Sequence, residues 1–220
     1  MFTKKCVAQK IHNRVFNDIA TARRHVLQHV EFHDCKFDSV LLSSSDAGLF
    51  GGRHAFQDVQ ALDCRFTNCV LKDAELTKVS LIRCSGEDGG LILWKCTLKE
   101  VRIDGIFETL RILPPKAGGQ GILSGTYALD VSTARCAEVE ILGIPPELVR
   151  YDPQRGGILA RRILDAERLE TEASEYFGGI LAKFRSYGGD RSVYVVPTEA
   201  PDAPLLIKEL QELKARGLIS

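Results

Sequence analysis

The chain has little of what usually announces an activity. It holds a single methionine and a single tryptophan, and its net charge is zero. No run approaches the roughly 18 apolar residues of a membrane-spanning helix, so no membrane association is expected. The segment from Met1 to Phe16 lacks the apolar stretch of a secretory signal. Division at Gly143 leaves each part within one charge of neutral. That balance disfavours both a basic nucleic-acid binder and a strongly acidic nucleic-acid mimic. The first 25 residues are locally basic, with Lys4, Lys5, Lys10, Arg14, Arg23 and Arg24 against Asp18, which reads as a solvated terminus. The seven cysteines are odd in number and show no CxxC spacing. Without a secretory signal, this favours reduced thiols and a cytoplasmic protein.

What is present is a beat of five. Cys64-Arg65-Phe66-Thr67-Asn68 is followed by Cys69-Val70-Leu71-Lys72-Asp73. Ala74-Glu75-Leu76-Thr77-Lys78 and Val79-Ser80-Leu81-Ile82-Arg83 continue it, and Cys84 opens another unit. A small apolar residue stands first in each unit and Phe or Leu third. A period of five is neither the 3.6 of a helix nor the 2 of a flat strand. The beat also runs from Val30 to Leu42 and extends backwards through His25 and Leu27 to Ala20 and Ala22. It breaks at Ser43–Arg53, shifts phase at Ser85–Gly90, and resumes in Leu91/Leu93, Cys96/Leu98 and Val101/Ile103. Pro114–Gly121 is a further loop, followed by a weak run at Ala134/Cys136 and Val139/Ile141.

From about residue 20 to 143, and most strongly from Cys64 to Cys84, the chain resembles the pentapeptide-repeat proteins. The resemblance implies a mainly β fold: a short right-handed parallel β-helix in which four units make one turn. First and third residues point inward, and each turn gains a core only by stacking on the next. The second place, often Asp or Asn in that family, here holds Arg65, Val70, Glu75 and Ser80. Cys35, Cys64, Cys69, Cys84 and Cys96 then fall at inward first places, where free cysteine acts as a small hydrophobe. Cys64 and Cys84 would stack at a separation that permits a disulfide, which the cytoplasmic reading disfavours. His25 would point inward and His29 and His33 outward.

After Gly143 the pattern changes, so two units are expected: residues 1–143 as the repeat region with its lead-in, and 144–220 as a mainly helical C-terminal cap or arm. Ile158–Phe177 reads as a helix, with Leu159, Ile163, Ala166, Leu169, Ala173, Tyr176 and Phe177 on one face. Gly178-Gly179 interrupts it and Ile180–Tyr187 continues. Ser192–Val196 reads as a strand. Pro204–Arg216 reads as a last helix, with Asp202 before it and Gly217 after it. A solenoid end needs such a cover over its strand edge and core.

Several patterns invite a chemical reading and do not sustain it. His25, His29 and His33, spaced by four, would form a metal-binding stripe on a helix, but residues 17–34 fit either a helix or a first repeat turn. Gly118-Gly119-Gln120-Gly121 lacks the GK[ST] ending of a phosphate loop. Ser43-Ser44-Ser45-Asp46 lacks a GxSxG frame. Glu167, Glu170, Glu172 and Glu175 alternate with basic residues as a solvated face does. No metal or cofactor is expected.

Trp94 is the exception, because the phase points it outward together with Ile92 and Ile82. Outward apolar residues are either covered by the C-terminal helices or bind something. Trp94, Ile82, Ile92 and Arg83 are therefore the candidate partner-binding residues. The expected function is non-enzymatic protein binding. The resemblance implies, as its specific form, a bacterial immunity or antitoxin-type inhibitor that neutralises a cognate toxin domain. The alternatives are a topoisomerase-protecting DNA mimic, and a small-molecule-binding protein or enzyme with a site between the two units, where Arg161, Arg162 and Tyr176 could stand. The Leu206, Leu210 and Leu213 stripe offers a homodimer contact or packing within the chain.

Overall fold

In the extended stretches of this chain the residue that closes each five-residue unit adopts a left-handed backbone conformation. Asp58, Asp63, Asn68, Asp73, Lys78, Arg83 and Asp88 all have φ between +45° and +54°. The same conformation recurs at Asn13, His29, Asp34, Ser39, Lys95 and Glu100. Asn and Asp tolerate this region better than other side chains do, and they hold most of the unbroken Asp58–Asp88 series. Each such residue bends the extended chain, so the strand must turn at every fifth position.

The computed structural model describes residues 4–17, 20–21, 25–43, 54–113, 127–165, 174–187 and 189–220. The described chain is mainly β, with one large parallel sheet, a small antiparallel pair and a few helices. The long strands follow one another across the large sheet. Lys4–His12 pairs with His25–His33, which pairs with His54–Leu62. That strand pairs with Ala74–Trp94, which pairs with Val101–Leu113. Val101–Leu113 pairs in turn with Leu129–Asp130 and with Ala134–Ile141. All these pairings are parallel.

The spacing of partners reports the beat directly. His54 lies opposite Ala74, a step of 20 residues. Val26 lies opposite Ala55, a step of 29, so the break at Ser43–Arg53 is an insertion between paired strands. Arg65 lies opposite Ser85, but Cys69 lies opposite Leu91. The extra residues fall at Asp88–Gly90, where the phase shifts. Gly90 has φ +57°, and a Cβ there would collide with the Thr109 carbonyl, so glycine is required. The last pairing of the large sheet, Leu129 with Val149, crosses Gly143.

Burial follows the same period. Cys64, Phe66, Cys69, Ala74, Leu76, Val79, Leu81 and Cys84 are all buried. The third-place aromatic residues stack from strand to strand: Phe16 on Phe37 at 5.0 Å between centroids, and Phe37 on Phe66 at 5.1 Å. The next member of that row is Gly86, with Phe107 beyond it. The Phe107 ring lies over Gly86, where a Cβ would stand 2.6 Å from it.

The strand Lys4–His12 extends the sheet before the beat first read at Ala20. Ile11 pairs with Phe32 and Phe16 with Phe37. Residues 25–33 are strand, which resolves the choice between helix and repeat at the described part of 17–34.

The C-terminal residues form a second hydrophobic cluster around Leu159, Phe177, Phe184, Tyr194 and Leu210. The expected helix at Ile158–Phe177 is corrected. Gly156–Ala160 is a strand antiparallel to Arg191–Val195, and Arg161–Asp165 is a 3-10 turn. Strand pairing satisfies the backbone of residues 156–160, so the helical spacing of Leu159 and Ile163 is overridden. Ala166, Leu169 and Ala173 of that expected face lie outside the described residues. A helix runs from Glu175 to Tyr187 without interruption at Gly178-Gly179. Burial of Phe177, Ile180, Leu181 and Phe184 offsets the roughly 1 kcal/mol each glycine costs a helix. The last helix, Ala203–Ala215, ends as expected at Gly217. Gly217 N–H donates to Lys214 O and Leu218 N–H to Leu213 O with φ +69° at Gly217, the paired closure of a Schellman motif. Leu206, Leu210 and Leu213 are buried within their own chain.

This C-terminal unit sits against the strand Ala134–Ile141. The Glu199 N–H donates to Cys136 O at 2.8 Å, Tyr176 Oη to Val139 O at 2.7 Å, and Ser192 Oγ to Ile141 O at 3.2 Å. Arg155 donates to Ser132 O and Ala134 O. Carbonyls on the side of that strand away from Val101–Leu113 thereby find partners. No helix of the described residues is long and apolar enough to cross a membrane.

Candidate partner-binding face

Parallel pairing arranges the outward residues in rows. One row runs Leu41, Val70, Ile92, Arg111 and Glu140. The row beside it, two residues further along each strand, runs Lys72, Trp94. Leu113 follows opposite Trp94. Leu41 is 43% exposed and Trp94 45%, while Val70, Ile92 and Leu113 are half-buried. The result is an aliphatic stripe beside an exposed indole. Lys72 Nζ lies 5.2 Å from the Trp94 ring centroid, within reach of a cation–π attraction.

The C-terminal unit reaches this face only at its far end. Glu140, 6% exposed, accepts from Lys183 Nζ at 2.8 Å and lies 3.8 Å from Arg111 Nε. Arg111 also donates to Glu138 at 2.6 Å, and that carboxylate holds the guanidinium above its ordinary pKa. Among the described residues the helices meet this face at Glu140, and Trp94 remains exposed.

Ile82 and Arg83 are elsewhere. Ile82 lies in the row of His12, His33 and Leu62, which no pairing connects to the row of Ile92. The four candidate residues thus divide into two pairs. Arg83 grips Asp63 with two parallel bonds of 2.7 and 2.5 Å. The Arg83 guanidinium holds the Asp63 carboxyl below the usual carboxylate range. The outward row Lys10, Glu31, Gln60, Ser80, Arg102, Asp130 and Arg150 alternates in sign, which does not favour a nucleic-acid mimic.

The remaining candidates are placed as follows. Cys35, Cys64, Cys69, Cys84 and Cys96 are buried free thiols. Their sulfurs lie against backbone carbonyls, for example Cys69 Sγ 3.3 Å from Phe37 O and Cys96 Sγ 3.3 Å from Leu71 O. Burial pushes Cys96 and Cys136 up to about 12. The neighbouring Cys84 sulfur, then burial, raise Cys64. These are buried packing groups, as their first-place positions imply. His29 and His33 share the strand His25–His33. His29 lies 3.4 Å from Asp58, and His33 stacks on His12 at 4.6 Å and meets Glu31 at 3.1 Å. No three potential ligands converge among the described residues.

A cleft of about 240 Å³ lies almost wholly within residues 144–220, lined by Ile144, Pro146, Glu147, Phe184 and Arg191 among others, with Gly143 at its edge. Tyr176, Arg161 and Arg162 do not line it. Arg161 bonds to Gly189 O at its rim and Arg162 to Gly217 O. Residues 118–121, Ser44–Asp46 and Glu167, Glu170 and Glu172 lie outside the described residues.

No family model, curated protein or solved structure matches the chain.

Proposed function

We propose that this is a non-enzymatic protein-binding protein built on a short right-handed parallel β-helix of the pentapeptide-repeat type. The left-handed residue at every fifth position from Asp58 to Asp88, the 20-residue step from His54–Leu62 to Ala74–Trp94 and the buried first places support that scaffold. The C-terminal unit caps its last turn. One observation carries the binding role: Trp94 stands exposed beside an aliphatic row of the parallel sheet. Tryptophan on such a surface is the side chain most often found at the energetic centre of an interface. In its specific form the reading is a cytoplasmic immunity or antitoxin-type inhibitor, with Lys72 beside the anchor to attract an acidic partner.

The test is complex formation with the protein encoded beside this one. Co-elution and protection on co-expression are expected. Trp94→Ala weakens binding by about 30-fold, equivalent to ~2 kcal/mol, while thermal unfolding stays within the narrow range usual for surface changes. Absence of both co-elution and protection overturns the inhibitor reading. Undiminished binding by Trp94→Ala removes this face from it.

A further inference from the structure

The inward rows of the early strands do not stack evenly. One row runs Ile11, Phe32, Ala61, Leu81 and Ile103. Beside it runs Leu27, Phe56, Leu76 and Leu98. Ala61 is the one small member of these rows, set between Phe32 and Leu81. Along these rows the interior leaves a cavity of about 150 Å³, with Ala61 in its lining. Its lining, including Phe32, Phe56, Phe66, Leu76 and Leu81, is apolar throughout, and its only heteroatom-bearing side chain is Cys69. The Cys69 thiol is directed at the carbonyls of Phe37 and Thr67. Leu27 at one end of the lining is half-buried, whereas Val101 and Ile103 at the other are closed off.

A cavity of this size without donors or acceptors stays dry and accepts a compact apolar guest. A charged or strongly polar guest would lose its hydration without compensation. We propose that this cavity binds one small, uncharged apolar molecule, the size of a single aromatic ring or a branched alkyl group of similar volume. The site is independent of the Trp94 face, which lies on the outside of the sheet.

Benzene titrated into the full-length protein tests the proposal, read by methyl NMR and thermal unfolding. Saturable shifts are expected at the methyls of Leu27, Leu76 and Leu81, together with a raised Tm. Ala61→Leu, which places three more carbons in the space, is expected to lose affinity on the order of tenfold or more while keeping a folded spectrum. Ala61→Val provides the same comparison with a smaller intrusion should leucine disturb the fold. Octanoate, which carries a carboxylate, is expected to leave these methyls unmoved. Three results would overturn the proposal: no saturable shift up to the solubility limit of benzene, undiminished binding in both variants, or octanoate binding as well as benzene.

Discussion

The early and late strands of the large sheet differ in how well they are closed. Around the cavity, Phe56, Phe66, Val79 and Leu81 keep some accessible surface, and Leu81 is 9% exposed. Further along, Phe107, Leu110 and Ile112 keep almost none, and Leu110 is fully buried. The late strands have the C-terminal unit against them, with donors to the carbonyls of Ala134–Ile141. The first strand, Lys4–His12, stands at the other end of the sheet order. A repeat therefore fixes the direction and register of the chain, whereas closure depends on side-chain size at each level and on what covers the end.

The sharpest way to break this comparison is to make one substitution in both regions. Leu110→Ala removes a side chain with partners on all sides and is expected to cost about 4 kcal/mol, near the top of the range for such changes. Leu81→Ala removes one that already borders empty space, has fewer contacts to lose, and is expected to cost about 2 kcal/mol. Urea unfolding of both variants measures the difference. Equal losses would mean that the early core is as tightly packed as the late one.

The sequence made the middle of this arrangement readable and its two ends less so. From Cys64 to Cys84 every unit has an apolar first residue, and the beat leads directly to the observed burial. At the N-terminal end Ile11 and Phe16 keep third places five residues apart, but Gln9 and Arg14 occupy the first places. The step to the next strand is 21 residues, from Lys4 to His25, so the phase slips by one. The fifth-place signal is present in Asp58, Asp63, Asn68 and Asp73, but Lys78 and Arg83 interrupt it as a residue pattern while keeping the same backbone. In the C-terminal unit Leu159 and Ile163 have helical spacing, but Arg191–Val195 offers residues 156–160 a strand partner 30 or more positions away. Local periodicity does not report such a partner. The outward placement of Trp94 and Ile92 followed from phase alone. Their separation from Ile82 did not, because Arg83 and Asp88 turn the chain between them.

If the C-terminal unit is what tightens the late strands, strengthening it should be felt there first. Gly179 lies inside the helix Glu175–Tyr187, and a Cβ there would meet nothing within 4 Å. Gly179→Ala is expected to stabilise by about 0.5–1 kcal/mol, through helix propensity and a less flexible unfolded chain. Hydrogen exchange should slow at Ala134–Ile141 and remain unchanged at His25–His33. Uniform slowing across the sheet would show that both regions open together, as one cooperative unit.

The smallest effect is electrostatic and belongs to the early strands. Hydrogen bonds from Lys10 and then His33 lower Glu31, Lys36 and then Ser39 lower Asp38, and Arg83 lowers Asp63. A carboxylate whose folded pKa is depressed contributes stability above its unfolded pKa. That contribution is lost as pH falls through the folded value. For Asp63 the loss begins near the ordinary 3.8 and continues below it. Asn tolerates the left-handed backbone at position 63 as Asp does, so Asp63→Asn removes the charge without straining the turn. At neutral pH this variant is expected to be slightly less stable than the parent, as befits an exposed pair that water and salt screen. The two should converge as pH drops below 3.8 and the parent's Asp63 becomes protonated. Unfolding midpoints measured across that interval at low salt check the sign. A gap that persists or widens in acid would show that Arg83 orders the early strands by packing along the row rather than by charge.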